Sequence, residues 1–155
     1  MRLQFVGSIP AKFLLIDLDR WLARAYAIDT MAKILIVDDD PDLVQLLSMA
    51  LQAKNHIVES ANDPIEGMKV CRSFKPELIL LDYHMPGDTG AHLFENLRRN
   101  RATAHTPVVF MSGEAASSDI FAEIADPANA RFLAKPVKID FLRKTIDEML
   151  AKPSL

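Results

Sequence analysis

Short apolar runs alternate with longer segments of helical apolar spacing over residues 31–152. Each run is short enough to be a strand that is buried on both faces of a sheet. The runs span residues 33–37, 57–58, 78–81, 107–111 and 131–134. Strands that alternate with helices through short loops predict a parallel sheet with helices on both faces. The pattern therefore predicts an α/β, doubly wound fold with five parallel strands.

The helical segments begin at residues that favour helix starts. Pro41 lies in the first turn of one predicted helix, and Asp63-Pro64 opens a second that stops before Pro76. Three more helices are predicted over residues 91–101, 118–125 and 139–150. The side chains expected to face inward on the first and last helices are Leu43, Leu46, Leu47, Ala50 and Leu51, and Phe141, Leu142, Ile146, Met149 and Leu150.

Residues 1–30 precede this alternation and have a pattern of their own. Apolar side chains recur along one face at helical spacing, at Leu14, Leu18, Trp21 and Leu22. Met31 would itself be a natural start of translation, because it leads directly into the first strand. We therefore expect residues 1–30 to be an N-terminal extension, either a helix or the product of an upstream start. The folded domain is predicted over residues 31–152.

Composition and charge narrow the class of protein. A formal net charge of −3 and a pI near 5.8 give no electrostatic footprint for nucleic acid, so we expect no direct nucleic-acid partner. No apolar run reaches the ~18 residues of a membrane-spanning helix. The single Cys71 excludes an internal disulfide and is typical of a reducing cytoplasm, where we expect this protein. His56, His92 and His105 are expected at the surface.

Polar residues follow the ends of four predicted strands. They are Asp38 and Asp39 after the first strand, Asp82 after the third, Ser112 after the fourth and Lys135 after the fifth. Because the carboxyl ends of parallel strands meet at one edge of the sheet, we expect these side chains to lie together. Each aspartate alone could also be a helix cap or a turn residue. The interpretation as one site therefore depends on the fact that several strands end in such residues.

These residue types together suggest a chemistry. Three crowded carboxylates repel one another, so they should be protonated or should hold a cation. Hard oxygen ligands with room for water suit Mg²⁺. A hydroxyl and an ammonium group on the far side would supply a donor and a positive charge for an anion. A carboxylate nucleophile, Mg²⁺, a hydroxyl and a lysine together describe a phosphoryl-transfer site.

Four stretches carry a family resemblance by their order and separation. They are Ile34-Leu35-Ile36-Val37-Asp38-Asp39-Asp40, Leu80-Leu81-Asp82-Tyr83-His84-Met85-Pro86-Gly87, Val109-Phe110-Met111-Ser112-Gly113 and Phe132-Leu133-Ala134-Lys135-Pro136. Over residues 32–150 the chain resembles the receiver domain of two-component response regulators. The resemblance implies a flavodoxin-like sheet with strand order 2-1-3-4-5. It also implies that a histidine kinase or a phosphotransfer protein phosphorylates Asp82.

The resemblance also implies a metal site. Asp39 and Asp82 would bind Mg²⁺ directly, together with the backbone carbonyl of His84. Asp38 would act mainly through water, and Asp40 would lie outside the metal shell.

Further roles follow from the same resemblance. Ser112 matches the hydroxyl residue that contacts the phosphoryl oxygen, and Lys135 would pair with Asp82 or its phosphoryl group. The peptide bond between Lys135 and Pro136 is expected to be cis. Phe132 matches a switch aromatic that swings inward as Ser112 moves, although plain core packing would also account for a phenylalanine there.

The favoured function is a binding module that is controlled by phosphorylation, catalyses only its own phosphorylation and dephosphorylation, and acts through a downstream protein target. A homodimer could form through the face of the fourth helix, fifth strand and fifth helix. The alternative is a Mg²⁺-dependent phosphatase with an aspartate nucleophile. Such an enzyme needs a general acid two residues after its nucleophile, for which His84 is the only candidate, and a substrate cap. His84 and Gly113 also depart from the receiver pattern, which usually has Asn and Ala there.

Overall fold

The computed structural model describes residues 31–113 and 129–151. Its strands are β1 (Lys33–Val37), β2 (Ile57–Ala61), β3 (Leu78–Asp82), β4 (His84–Met85), β5 (Asp88–Thr89), β6 (Val108–Ser112) and β7 (Ala130–Ala134). Its helices are α1 (Pro41–Gln52), α2 (Pro64–Phe74), α3 (Gly90–Arg99) and α4 (Ile139–Leu150). The predicted extension over 1–30 and the helix predicted over 118–125 lie outside the described residues, so the boundary at residue 31 stays a prediction. None of the helices described here has the length and apolar character that crossing a membrane requires.

Five strands form one parallel sheet in the order β2-β1-β3-β6-β7. Since β6 and β7 are the fourth and fifth strands of this sheet along the chain, the order is the one that the resemblance implied. The prediction of a doubly wound, flavodoxin-like α/β fold is confirmed. β4 and β5 form a separate antiparallel ribbon immediately after β3.

The sheet separates two hydrophobic clusters. On one face, Val37, Leu81 and Phe110 belong to a cluster that includes residues of α2 and α3. On the other face, Ile36 and Leu80 belong to a cluster with residues of α1 and α4. Every side chain of β3 and β6 is buried, which explains the unbroken apolar runs in their sequence.

Aspartates cap the starts of α1 and α2. Oδ1 of Asp40 accepts hydrogen bonds from the backbone N–H groups of Asp42 and Leu43, and Oδ1 of Asp63 accepts one from that of Glu66. These bonds satisfy N–H groups that have no partner within the helix. The carboxylate of Asp40 is therefore committed to the first turn of α1.

Two predicted core positions are wrong. The side chains of Leu46 and Phe141 are 53% and 57% exposed. In each helix the next residue, Leu47 or Leu142, is fully buried. Successive residues of a helix point about 100° apart, so a narrow buried stripe includes one of two neighbouring apolar residues and leaves the other outside.

The predicted surface position of His56 is also wrong. This residue is only 9% exposed and lies in the connection between α1 and β2. Its Nδ1 atom accepts a hydrogen bond from the backbone N–H of Ala32, at 3.3 Å. A polar side chain was needed here because the N–H group of a buried residue requires an acceptor.

Candidate functional site

The four predicted strand ends meet at the carboxyl edge of the sheet. Asp38 follows β1, Asp82 is the last residue of β3, Ser112 is the last of β6, and Lys135 follows β7. In the register of the sheet, Asp82 lies opposite Met111. Ser112 lies opposite Ala134, the residue before Lys135, and the backbone N–H of Lys135 donates to the carbonyl of Ser112 at 2.7 Å. The peptide bond between Lys135 and the next residue is cis.

Three carboxylates form an acidic group at this edge. Asp38, Asp39 and Asp82 each offer an oxygen, and these oxygens lie within 4.8 Å of one another. Asp38 and Asp82 are buried, whereas Asp39 is exposed. Ligand oxygens around one Mg²⁺ are about 2.9 Å apart when adjacent and about 4.2 Å apart when opposite, so carboxylates this close together could hold one ion directly or through water. The donor set is therefore a fit for a hard divalent cation.

The ammonium group of Lys135 lies between two of these carboxylates. Its Nζ atom is 2.8 Å from Oδ2 of Asp38 and 3.2 Å from Oδ1 of Asp82. The backbone N–H of Asp40 donates to the other oxygen of Asp38, at 2.9 Å. Both oxygens of Asp38 therefore have partners within the protein, and its side chain has no exposure to solvent.

The pKa values of this pair show how burial and charge compete. Burial raises the pKa of Asp82 most, and the negative charge of Asp38 adds to the rise, while Lys135 and the N–H of His84 act in the opposite direction. Burial alone would lower the pKa of Lys135, but the hydrogen bond and charge of Asp38, with those of Asp82, outweigh it and raise that pKa. The carboxylates thus favour the charged form of Lys135, whereas burial opposes ionisation of Asp82.

The loop after Asp82 folds back on itself. The backbone N–H of His84 donates to Oδ1 of Asp82 at 3.3 Å, and the side chain of Met85 is buried in the core. Gly87 has a φ of +84°, a conformation that favours glycine in the turn between β4 and β5. The side chain of His84 is exposed, and its ring meets that of Tyr83 edge-on. The loop keeps the backbone of His84 beside the carboxylate of Asp82.

Aromatic rings connect this loop to β7. The ring of Phe132 is stacked on that of Phe110, with centroids 4.9 Å apart and an interplanar angle of 14°. Tyr83, the residue after Asp82, lies 6.0 Å from Phe110 and 6.2 Å from Phe132. Phe132 is half-buried, so it is part of the core packing and also reaches the surface.

Sequence reasoning did not single out Tyr83 or Gly90, although both shape the site. In the sequence Tyr83 is one member of the motif after β3, and no pattern indicated that its ring would reach Phe132 two strands away. A glycine immediately before the helix predicted over residues 91–101 was the available signal for Gly90, because glycine often marks a close backbone approach.

The chain matches the family model described as the response regulator receiver domain over residues 34–147. It is 33% identical to protein PilH of Pseudomonas aeruginosa over 121 residues, which cover 78% of this chain and 99% of PilH. It is 32% identical to the DNA-binding dual master transcriptional regulator RpaA of Synechocystis, covering 79% of this chain but only 47% of RpaA.

Solved structures give the same assignment. The chemotaxis protein CheY4 of Vibrio cholerae superposes with a TM-score of 0.72 at 28% identity, covering 77% of this chain and 99% of CheY4. A response regulator from Chloroflexus aurantiacus superposes with a TM-score of 0.72 at 25% identity, covering 79% of this chain and all of that one. The resemblance seen in the sequence is therefore confirmed, and this chain belongs to the response regulator receiver domain family of two-component signalling.

Proposed function

We propose that this receiver domain accepts a phosphoryl group on Asp82 from a phosphohistidine of a histidine kinase or a phosphotransfer protein, in a Mg²⁺-dependent reaction. The observation that carries the proposal is the position of Lys135, whose ammonium group contacts both Asp38 and Asp82 at the edge where the acidic group lies. A phosphoryl group at this edge would meet a fixed positive charge and three carboxylate ligands for a cation.

Asp82 is the best acceptor of the three carboxylates. Asp38 has no exposure to solvent, and its two oxygens are engaged by Lys135 and by the N–H of Asp40. The ammonium of Lys135 and the backbone N–H of His84 both contact Oδ1 of Asp82. We assign the attack on phosphorus to Oδ2 of Asp82, which forms an O–P bond as the P–N bond of the phosphohistidine breaks and the imidazole leaves.

Other residues of the site would bind the metal ion and contact the phosphoryl oxygens. Asp39 and Asp82, with the carbonyl of His84, would hold Mg²⁺, and Asp38 would hold it through water. The ion would neutralise charge on the transferring group. Lys135 would then pair with a phosphoryl oxygen, and the hydroxyl of Ser112, which ends β6, would contact another. Positioning and fixed charge account for most of the catalysis in such a transfer.

We further propose that the phosphorylated protein signals by binding a downstream protein target, with Phe132 as the residue whose arrangement changes. The stacking of Phe132 on Phe110 and its contact with Tyr83 support this role, since one ring touches both the core and the neighbour of Asp82. A homodimer through the face of the predicted fourth helix, fifth strand and fifth helix, a cytoplasmic location and the lack of activity on other substrates are parts of the same proposal. The family match does not favour the phosphatase alternative.

The test is incubation with acetyl phosphate, a small phosphodonor, with and without Mg²⁺. The proposal expects a mass gain of about 80 Da in the presence of Mg²⁺, held long enough to be observed, and little gain without it. Continuous release of phosphate with no observable phosphoprotein would instead support a phosphatase. No mass gain and no phosphate release from the folded protein would contradict both functions.

A further inference from the structure

The first residue of α3 touches the backbone of the proposed phosphoryl acceptor. If Gly90 carried a Cβ atom, that atom would lie 2.3 Å from the carbonyl oxygen of Asp82 and 3.2 Å from Cγ of Leu81. Carbon and oxygen atoms that are not bonded stay well beyond such a distance, because their electron shells repel. The neighbour is backbone within a buried strand, so it cannot rotate away as a side chain would.

The same residue closes the loop that follows Asp82. The backbone N–H of Gly90 donates to the carbonyl of Tyr83 at 2.9 Å, while the N–H of Tyr83 donates to the carbonyl of Met111 on β6 at 2.9 Å. Between Tyr83 and Gly90 the chain forms the short β4–β5 ribbon that contains His84. The hydrogen bond of Gly90 therefore joins the two ends of the loop, and that of Tyr83 holds its first residue to the edge of the sheet.

Conformational preference does not explain a glycine at this position. Unlike Gly87, Gly90 does not have a positive φ, and it lies in a helix, where alanine is ordinarily favoured over glycine. A side chain is excluded because the backbone of Asp82 leaves no space for a Cβ atom at this position.

We propose that Gly90 is a positioning residue for phosphoryl transfer: its missing side chain lets α3 lie against the carbonyl of Asp82 and so sets the position of the Asp82 carboxylate and of the His84 backbone. The proposal rests on the proposed function for its catalytic consequence. An alanine would displace the acceptor by roughly 1 Å, and a misplacement of that size can lower a rate by about 100-fold.

Other glycines supply matched controls. At Gly113, which directly follows Ser112, an added Cβ would meet no atom of the described residues within 4 Å. At Gly67, within α2, it would come to 3.1 Å from a methyl group of Val37, a side chain that can adjust. Gly113→Ala controls for a change near the site, and Gly67→Ala controls for a change of packing in the core.

The experiment measures three quantities for the full chain and for the three alanine variants. They are the rate of phosphorylation by acetyl phosphate, the Kd for Mg²⁺ from amide chemical shifts, and the melting temperature. The expected result for Gly90→Ala is a rate about 100-fold lower per folded molecule, a weaker Kd, and shifts centred on residues 82–84 in the metal-free protein. Both control variants should stay within about threefold of the unaltered protein. A Gly90→Ala rate within threefold would overturn the proposal, as would a loss no greater than that of a control with the same fall in melting temperature.

Two further measurements cover the cases in which the variant does not fold or the unaltered protein takes no phosphate. If Gly90→Ala does not fold, amide hydrogen exchange in the unaltered protein is the test, because a closed loop predicts a protected Gly90 amide and exchange at the unprotected rate would overturn it. If the unaltered protein takes no phosphate, the proposed function fails. The Mg²⁺ affinity and the amide shifts of Gly90→Ala then still decide whether Gly90 positions the acidic group.

Discussion

The ammonium nitrogen of Lys135 lies 2.8 Å from Oδ2 of Asp38, a carboxylate with no exposure to solvent. Sequence reasoning expected Lys135 to pair with Asp82, and that contact is present but longer, at 3.2 Å. The lysine therefore pairs with both buried carboxylates of the acidic group. Its role in the resting protein is distinct from the contact with a phosphoryl group that we propose.

Replacing Lys135 by methionine should destabilise the protein by about 1–3 kcal/mol at neutral pH, since it leaves buried carboxylates without their cation. Lys135 holds down the pKa of Asp82, which is already raised, so its loss raises that pKa further. When the pKa of a carboxylate is raised in the folded state, the free energy of unfolding of the protein falls as the pH rises through that pKa. The deficit of Lys135→Met should therefore shrink as the pH falls from 7 toward about 4.

Urea unfolding of both proteins at several pH values measures this effect. The matched control is Lys144→Met, which removes an exposed lysine whose pairing with Glu148 spans 3.9 Å on the surface of α4. Its deficit should be below about 1 kcal/mol. Equal deficits for the two variants, or a Lys135→Met deficit that grows on acidification, would count against the buried pairing.

Adding Mg²⁺ and beryllofluoride, a phosphoryl mimic, should change amide and aromatic chemical shifts at Ser112 and Phe132 as well as around Asp82. The inactive and active arrangements of the protein should already interconvert before the mimic binds. The mimic should only shift their populations. Ring contacts from Tyr83 to Phe132 provide a direct route for the change. The Asp82→Asn protein under the same conditions is the control. Shifts confined to residues 82–90 would contradict the proposed switch.

The thiol of Cys71 should be inert in the folded protein. It is 2% exposed, and burial raises its pKa from 9.0 to about 11. Because the folded-state pKa is raised, stability is intact below pH 9 and falls by about 2 kcal/mol as the pH rises toward 11. A thiol reagent at pH 8 should label the protein only after denaturation.

Stability measurements between pH 8 and 11 on the unaltered protein and on Cys71→Ala separate this contribution from other titrations. The alanine variant should show a smaller fall over that range. Rapid labelling of the native protein at pH 8 would show that the thiol is accessible after all.

A shortened protein that begins at Met31 should fold, bind Mg²⁺ and accept phosphate. The described core starts at Ala32, whose N–H is satisfied by His56, and β1 starts at Lys33. Circular dichroism, thermal unfolding and the phosphorylation rate of the shortened and full chains make the comparison. A shortened protein that fails to fold would show that residues 1–30 belong to the core, and that the predicted boundary is wrong.

The alternation of strands and helices and the edge that holds the site followed from local sequence patterns, whereas the strand order followed from the family resemblance. Leu78–Asp82 is an unbroken apolar run that ends in a carboxylate, and a parallel sheet brings such an end beside those of β1 and β7. The exposed Leu46 and Phe141 and the buried His56 did not follow, because each depends on how neighbouring elements pack in space. Apolar character alone cannot say which of two adjacent helical residues lies on the buried stripe.

Details of the site were harder still to anticipate. The preference of Lys135 for Asp38 depends on distances of a few tenths of an ångström, and the approach of Gly90 to Asp82 depends on the path of the β4–β5 ribbon. Sequence spacing does not contain such distances. A motif indicates which chemical groups lie at the same edge of the sheet. The three-dimensional structure is needed to tell which of them are in direct contact.

The central claim, that Asp82 is the phosphoryl acceptor, is tested most directly by intact-mass analysis of Asp82→Asn beside Asp40→Asn after treatment with acetyl phosphate and Mg²⁺. Asn at position 40 can still cap α1, so that variant removes a nearby carboxylate without touching the acidic group. We predict a gain of about 80 Da for the unaltered protein and for Asp40→Asn, and none for Asp82→Asn, which stays folded. A gain of about 80 Da on Asp82→Asn, equal to that of the unaltered protein, would contradict the assignment.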